Sequence, residues 1–519
     1  MKKLFTLLFC ATFIFCACES MDFKDTKVPI DTTIPMTDFD ITESMLLSWA
    51  GLEENISTGD DNILQIEQEL KMEIATQKDL SGLFTIKDQN FTISHHFGGV
   101  IPVSIVVPIN ITLLQNFQYG KDYSIRAATL AEGTLNFSIA NTTADFSQAV
   151  CEIPQLTKDN LPLKIKSGEN VSLKGYKLNF SPDNPNQIQF LLSGKITALK
   201  GDDLSNVSLG ISFSHLMLAD AEGFFGREII TPNQEFTIQL DPGVTDFFKD
   251  CNYYLANPQL KLQLNNTHNL PLLVKISKLK IGNTNIQLKD AIGSSKIVVK
   301  PEYISDYVLD NSDTQSGRAL SDALSKQISS VTISFTVITN PTKEDLADPA
   351  YVAPTTNHIS LDKSLKIQEN IIIPFEGFFS DIPFSQEFDM DMGNHSDILY
   401  EHLKLGVLCR NEMPLNLKLT LVAVSADGSK TPLLSDPIMI PPSNGLKPSS
   451  GDFQAGIINE TNPVIQTIPG DKVQLLMTAQ KLQFVFSGSM PVQKDGGYSK
   501  LYSPSRLKLK LIGNLKGLL

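Results

Sequence analysis

The stretch Leu507-Lys508-Leu509-Lys510-Leu511 near the C-terminus places leucine at every second position and lysine between them. Successive side chains of a β-strand point to opposite faces, so this alternation predicts a strand with one buried and one solvated face. Residues 261–264 and 417–421 show the same period. Strands with one solvated face are typical of antiparallel sheets. We therefore expect a chain that is mainly β.

Turns and helices favour the same fold class. Clusters of Pro, Asp, Asn, Ser and Gly at residues 181–185, 426–428 and 494–497 separate the strand-like runs. Helical periodicity is confined to residues 318–330 and 43–49. The sequence predicts tandem antiparallel β-sandwich-like domains with few short helices.

A five-residue motif occurs twice. Glu222-Gly223-Phe224-Phe225-Gly226 recurs as Glu376-Gly377-Phe378-Phe379-Ser380. Each copy is followed by a segment that contains an asparagine, a proline and a leucine and leads into a long alternating strand. These segments are Asn269-Leu270-Pro271-Leu272 and Asn411-Glu412-Met413-Pro414-Leu415. The two Phe residues after Gly predict a tight backbone bend with aromatic packing. We expect a degenerate third copy of the asparagine–proline element at Asn160-Leu161-Pro162-Leu163. The recurrence predicts two tandem β units behind an N-terminal unit.

These patterns divide the chain into six segments. They are a signal peptide (1–17), an acidic tether (18–37), an N-terminal β domain (38–170), β repeat unit 1 (171–300), a linker with a helix (301–330) and β repeat unit 2 (331–519).

The composition is that of an acidic globular protein. The 519 residues are 42% hydrophobic and 19% charged, enough to bury a core in two to four domains. The formal net charge is −14 at pH 7. An acidic surface repels nucleic-acid phosphates and anionic headgroups, so we do not expect nucleic acid as a partner or a basic patch as a membrane anchor.

The N-terminus, MKKLFTLLFCATFIFCAC, resembles a bacterial secretory signal that ends in a lipobox. Two lysines precede an apolar run over residues 4–15, which is too short to span a bilayer. Ala17 stands directly before Cys18, as in lipoproteins whose cysteine is acylated and becomes the new N-terminus. The resemblance predicts lipidation of Cys18 and a membrane partner reached through its acyl chains.

The next residues resemble signals of one phylum. The acidic stretch at residues 19–25 is similar to the surface-export signal of Bacteroidota lipoproteins, and it is equally well a solvated tether. Asp31-Thr32-Thr33 resembles the O-glycosylation sequon of that phylum, which makes Thr32 a candidate acceptor. The expected location is the outer membrane, lipid-anchored and surface-exposed, otherwise facing the periplasm.

The body of the chain also resembles a family. The openings Val28-Pro29-Ile30 and Ile34-Pro35-Met36, the segment Ile86-Lys87-Asp88-Gln89, the Gly-Phe-Phe motif and Asn257-Pro258-Gln259-Leu260 are similar to those of large, uncharacterised Bacteroidota outer-membrane or cell-surface lipoproteins. The likeness covers most of residues 28–281. It implies a cell-envelope lipoprotein and brings no catalytic residues with it.

Residues 387–397 contain the densest polar cluster. Asp389, Asp391, Asn394 and Asp397 are oxygen ligands of the kind that calcium prefers, and we retain them as a candidate calcium site. The spacing departs from that of a helix-flanked calcium loop. The alternation of acidic and apolar residues equally fits a plain strand, and we expect no other cofactor.

No catalytic motif is present in the sequence. His95 and His96 would point to opposite faces of a strand, and Cys151, Cys251 and Cys409 lack the CxxC spacing of a zinc or redox site. HExxH, GxSxG and Walker-type motifs are missing. We expect a non-enzymatic protein whose three cysteines are small buried residues, with their disulfide status open.

Several functions remain compatible with these patterns. The first is a surface binding or structural module. The second is an adhesin or pilus-type subunit, for which residues 503–519 would serve as a donor strand. The third is an apolar-ligand or glycan binder, although one Trp and 11 Tyr against 29 Phe favour dry packing over sugar platforms. An envelope hydrolase with an unrecognised site is the last. The ligand, the oligomeric state, and whether the repeats form one groove stay open.

Overall fold

The computed structural model describes residues 29–52, 55–59, 61–75, 81–119, 123–230, 234–249, 251–326, 329–390, 398–490, 492–493 and 496–518. Antiparallel strands dominate, and the helices are short. The predicted fold class is confirmed: tandem sandwich-like units of antiparallel β-sheet. The two predicted helices are present, in shorter form, at Glu43–Ser48 and Ala319–Leu324.

An N-terminal segment, here called the strap (residues 29–95), precedes the sandwiches. Its elements are β1 (Pro29–Thr42), α1 (Glu43–Ser48), β2 (Ile56–Thr58), β3 (Leu64–Ala75), α2 (Ser81–Phe84), β4 (Thr85–Ile86) and β5 (Gln89–His95).

The first sandwich follows. It contains β6 (Ile105–Asn116), β7 (Tyr123–Ala140), β8 (Val150–Lys158), β9 (Leu161–Lys166), β10 (Asn170–Ser172), β11 (Lys177–Asn179), β12 (Gln187–Ala198) and β13 (Val207–Phe225). Because the short strand β11 pairs with both β7 and β8, it joins the two layers into one 11-stranded sheet.

The second sandwich has two separate five-stranded sheets, β2-β3-β23-β16-β20 and β14-β21-β17-β18 with β19. The elements in this part of the chain are β14 (Gln234–Gln239), α3 (Pro242–Lys249), β15 (Asn252–Leu255), β16 (Gln259–Asn266), β17 (Leu272–Ile281), β18 (Thr284–Ile286), β19 (Lys296–Val299), β20 (Tyr303–Leu309), a 3-10 turn (Asn311–Asp313), α4 (Ala319–Leu324), β21 (Ser330–Thr339), α5 (Lys343–Leu346), β22 (Asn357–Ser360) and β23 (Leu365–Pro374). Two of these strands pair outside the second sandwich: β22 pairs with β13 of the first sandwich, and β15 pairs with β24 of the third.

The third sandwich closes the chain. Its elements are β24 (Glu376–Asp389), β25 (Leu399–Asn411), β26 (Asn416–Val424), β27 (Lys430–Pro432), β28 (Ile438–Ile440), β29 (Gly456–Ile458), β30 (Val464–Pro469), α6 (Gly470–Thr478), β31 (Lys481–Met490), β32 (Ser499–Lys500) and β33 (Arg506–Leu518). Phe39 of β1 and Phe484 of β31 pack edge to face, 4.9 Å apart, between its two sheets.

The three sandwiches share one pairing scheme. The first strand of each pairs with a late strand, β6 with β12, β14 with β21 and β24 with β31. The last strand pairs with the second long strand, β13 with β7, β23 with β16 and β33 with β25. The structure therefore contains three copies of one unit, where the sequence showed two.

The strap adds one long strand to the last strand of every sandwich, in reverse chain order, and its short strands β2 and β4 join the second and first sandwiches. β5 pairs with β13, β3 pairs with β23 and β1 pairs with β33. The start of the described chain therefore lies in the third sandwich, where Pro29 faces Leu518, and the strap ends in the first sandwich. One continuous segment thus ties the three cores together.

Strand pairing groups the chain differently from the six predicted segments. Strands on both sides of residue 170 belong to the sheet of the first sandwich. The predicted linker, 301–330, contains β20 and α4 of the second sandwich. The difference arises because a sandwich is closed by distant strands, and the periodicity of a strand does not reveal its partner.

The repeated Gly-Phe-Phe motif has the same structural role in both copies. A Cβ atom at Gly223 would lie 2.3 Å from the carbonyl oxygen of Ser124, and one at Gly377 would lie 1.9 Å from that of Tyr254. Glycine is needed there because the neighbouring backbone occupies the side-chain position. Phe225 and Phe379 are fully buried. The motif passes the chain from each sandwich to the next.

The asparagine–proline turns are equivalent in structure, but the residue that matches Asn411 is Asn266 and not Asn269 of the predicted segment. Asn266 donates its amide to the carbonyl four residues later (2.8 Å), and its oxygen accepts from the N–H two residues later (3.1 Å). Asn411 makes the same two bonds at 2.9 and 3.0 Å. Asn160 instead lies in the β8–β9 turn with φ of 64°, so it is not the expected third copy.

The two junctions between sandwiches differ in chemistry. At the first, Arg227 donates two hydrogen bonds to Asp345, at 2.7 and 2.8 Å, and this contact lowers the pKa of Asp345 to about 2. At the second, Phe248, Phe375 and Phe379 pack together with ring centroids about 6 Å apart. Both contacts hold adjacent sandwiches in a fixed relation.

Candidate functional site

The end of the first sandwich that lies away from the second is called the tip. β13 starts there at Val207, opposite His95, and leaves at Phe225 towards the second sandwich. The ends of β5, β7 and β12 and the start of β6 lie at the same end. Loops 96–104, 141–149 and 199–206 form its surface.

Apolar side chains concentrate on the tip. Val100 and Val103 are each 66% exposed, Leu199 is 61% exposed and Val106 is 58% exposed. Val100 lies opposite Asp203 in an isolated bridge, and Ile105 lies opposite Ala198 at the strand ends. Single exposed apolar residues are common, whereas a group in one place is typical of an interaction surface.

Buried polar contacts hold the tip loops in shape. Asp202 is buried, and its carboxylate accepts hydrogen bonds from the Thr143 hydroxyl and from the Leu199 N–H, the latter at 2.7 Å. The backbone of the same turn bonds to Ile101. The exposed apolar groups are therefore presented by an ordered backbone.

Polar residues around the rim add to this order. His96 Nδ1 lies 2.8 Å from the carbonyl oxygen of Ser205, and His95 packs against Phe97 at 4.6 Å. Hydrogen bonds from the hydroxyl and the N–H of Ser205 lower the pKa of Asp203. The two histidines thus have separate structural contacts, as expected from their opposite directions.

The predicted calcium site is placed only in part. Asp389 ends β24, exposed, opposite Lys481, while Asp391, Asn394 and Asp397 lie outside the described residues. Neighbouring Glu387 accepts from Lys430 and Lys481 at 3.3 and 3.1 Å. Within the described ranges, no group of three His, Cys, Asp or Glu side chains has the arrangement of a metal centre. The calcium site stays a prediction.

The other predicted sites are scattered. Cys18 lies outside the described residues, and Thr32 is exposed in β1, opposite Leu515. Cys151 and Cys409 are buried, Cys251 is half-buried, and the three form no disulfide with one another. Burial raises the pKa of the Cys151 thiol to about 12 and that of Cys409 to about 11, so neither is a reactive thiolate.

A concave surface, separate from the tip, lies on the outer face of the third sandwich. It is an open groove of about 510 Å³ across β1, β33, β25 and β29. Lys508 and Lys510 project into it opposite Asp40 and Asp38, so charges of both signs line its floor. The groove therefore lacks the net charge or the enclosed apolar lining of a small-molecule site.

The tip was not predicted from the sequence, although a signal for it exists. Residues 89–120 contain no Asp, Glu, Lys or Arg, and this is the longest such run after the signal peptide. It covers β5, the first tip loop and β6. An uncharged run of this length fits either buried strands or an exposed contact surface, and the structure places part of it at the surface of the tip.

Comparisons with known proteins leave the function open. The sequence matches no protein-family model, and no curated protein matches it either. Among solved structures, a Parabacteroides distasonis protein described as secreted is 13% identical, with a TM-score of 0.28 over 58% of this chain and 88% of that chain. VP2 of infectious bursal disease virus is 10% identical, with a TM-score of 0.12 over 83% of this chain and 80% of that chain. Scores this low carry no argument.

One further finding concerns membranes. No helix within the described part of the chain is both long and apolar enough to cross a bilayer.

Proposed function

We propose that this chain is a non-catalytic cell-envelope lipoprotein that holds the tip of its first sandwich away from the membrane as a binding surface. The observation that carries the proposal is the reverse order of the strap strands. β1 begins eleven residues after Cys18 and belongs to the third sandwich. An anchor at Cys18 therefore attaches beside the third sandwich, at the opposite end of the series from the tip.

The tether and the charge fit this arrangement. Residues 19–28 span at most about 35 Å when fully extended, so the third sandwich stays close to the lipid surface. Because the chain carries a net charge of −14, attachment must come from acyl chains. The strap and both junctions make the series a spacer, and the exposed apolar tip is its distal end.

The chemistry of the tip favours an apolar or protein partner over a sugar. Its exposed large apolar residues are Val, Ile and Leu, which offer no ring for a sugar to stack on. The single Trp49 is half-buried and stacks on Phe486 at 6.2 Å, in the third sandwich. Trp49 therefore packs against the core of the third sandwich and is not available as a platform for a sugar ring.

The pilus-type alternative loses its predicted donor strand. β33 pairs with β1 on one side and with β25 on the other, so residues 506–518 are already held inside their own sandwich. A donor strand must be free to enter another subunit, and β33 is not. An adhesin that binds through the tip remains a form of the proposed function.

The anchor is tested by Cys18→Ala. The acylated thiol is then missing, so we expect complete loss of fatty-acid labelling and release of the protein from the membrane fraction. Metabolic labelling with a clickable palmitate, followed by fractionation, measures both. Cys251→Ala is the matched control and should label normally. Persistent labelling of the Cys18→Ala chain would refute the lipobox interpretation.

The tip is tested by Val103→Asp combined with Leu199→Asp. Residues 19–519 should bind octyl-coated beads, and the double variant should lose most of that binding because a carboxylate resists transfer into an apolar contact. Ile465→Asp, at an equally exposed apolar position of the third sandwich, is the control and should bind normally. Equal binding by all three proteins would show that the tip is not the binding surface.

A further inference from the structure

The first strand of the first sandwich is a long open edge. β6 pairs along all twelve of its residues with β12, and its other side has no partner strand among the described residues. Twelve residues span about 40 Å of unpaired backbone. Such an edge presents free N–H and C=O groups that can pair with another strand.

The equivalent edges of the other sandwiches are charged, and this one is not. β14 carries Glu235. β24 begins with the Gly-Phe-Phe motif and carries Glu387 and Asp389 further along the strand. Charged side chains on an edge oppose pairing with a second strand. β6 contains no Asp, Glu, Lys or Arg, and neither does β5 on the facing sheet. Two of the three equivalent edges are therefore charged, whereas β6 is uncharged and is interrupted only at Pro108, which has no N–H to offer a second strand.

The inner row of β6 is incompletely covered by its own sandwich. Ile109 is buried, whereas Val107, Ile111 and Leu113 are only half-buried. An added strand would bury this row as well as satisfy the backbone groups.

The sequence of β6 is complementary to itself. In an antiparallel pair centred on Asn110, this residue faces its own copy. On the outer face, exposed Val106 lies opposite Leu114. On the inner face, Ile109 lies opposite Ile111 and Val107 lies opposite Leu113. The remaining pairs, Pro108 with Thr112 and Ile105 with Gln115, are mixed, and no pair places a charge in the contact.

We propose that β6 pairs antiparallel with β6 of a second copy of this chain, with the two-fold axis at Asn110. Two chains of net charge −14 repel each other, and an uncharged edge is where they can approach without opposing charges. The pairing joins the two first sandwiches through one continuous sheet. Because the strands run along the series, the two third sandwiches lie at opposite ends of the dimer. Two chains anchored through Cys18 in one membrane would have their third sandwiches at the same end, so the pairing applies to chains released from the membrane or held on two facing membranes.

Asn110→Lys tests the proposal. Residues 19–519 should sediment as a dimer, and Asn110→Lys should weaken dimerisation at least about fivefold, since it places two like charges directly opposite each other. Ser385→Lys, an exposed position on the equivalent edge strand β24, is the matched control and should leave the dimer intact. Analytical ultracentrifugation over a concentration series measures the three proteins.

A charge-swap mixture tests the register. Asn110→Asp alone should also weaken the dimer, and an equimolar mixture of the Asn110→Lys and Asn110→Asp chains should restore it as a heterodimer. A parent chain that stays monomeric throughout the series, or a dimer equally sensitive to Ser385→Lys, would overturn the proposal. Failure of the mixture to recover would overturn the axis at Asn110.

Discussion

Glu369→Leu is expected to stabilise the protein, most strongly at neutral and alkaline pH. Glu369 lies in β23, in the middle of the second sandwich, with 0% of its surface exposed. Among the described residues, neither of its carboxylate oxygens has a hydrogen-bond partner. Burial raises the pKa of Glu369 to about 8 from an ordinary 4.5. The site is built for a neutral side chain, and leucine supplies one of similar size.

The direction of the pH effect follows from that pKa. Between about pH 4.5 and 8 the unfolded chain has lost the proton that the folded chain still holds, so unfolding releases a proton and becomes easier as the pH rises. One pKa unit corresponds to about 1.4 kcal/mol, so the loss is about 3 kcal/mol at pH 7 and about 4 kcal/mol at pH 8, where the folded chain has itself begun to lose the proton. Glu369→Leu removes this loss.

Urea unfolding at about pH 5 and pH 8 measures the effect. The parent chain should lose unfolding free energy between the two values, and Glu369→Leu should flatten that slope. Glu369→Gln is the matched control: it removes the titration but keeps an unpaired polar group, so it should flatten the slope with a smaller gain. A variant slope equal to that of the parent would contradict the assignment.

Gly377→Ala is expected to destabilise the protein by about 3 kcal/mol or more. Its Cβ would meet the carbonyl oxygen of Tyr254 at 1.9 Å, and the two strands would have to separate at the passage between sandwiches. A backbone atom cannot rotate away as a flexible side chain can. The neighbouring ring of Phe379 is fully buried, so the disturbance reaches the aromatic junction.

Gly428→Ala is the control that separates the steric clash at Gly377 from the preference of glycine for a positive φ. Gly428 has φ of 81° and no atom within 4 Å of the added methyl group, so alanine there should cost only about 1 kcal/mol. Gly223→Ala should behave like Gly377→Ala, because its Cβ would lie 2.3 Å from a carbonyl oxygen. Thermal unfolding of the three variants gives the comparison. Similar melting temperatures for Gly377→Ala and Gly428→Ala would disprove the steric argument.

The candidate site illustrates what a pattern can and cannot reveal. The uncharged run at residues 89–120 is visible in the sequence, but it reads equally well as buried strand and as exposed surface. Its exposure depends on the position of β6 at a sheet edge. The tip likewise needs Val100, Val103 and Leu199 to meet from two loops almost a hundred residues apart. Neither fact follows from local spacing.

The sequence by itself determined the strands, because a period of two is a property of adjacent residues and needs no distant partner. The alternation at residues 507–511 lies in β33, and the two helical periods lie in α1 and α4. The Gly-Phe-Phe motif lies at both connections between sandwiches. Tertiary structure alone decided which strands pair. β1 pairs with β33 although almost the whole chain lies between them in sequence. The structure also contains a third copy of the sandwich unit, whereas the sequence motif occurs only twice. Pairing is selected by burial and backbone hydrogen bonding between distant segments, for which no residue carries a local label.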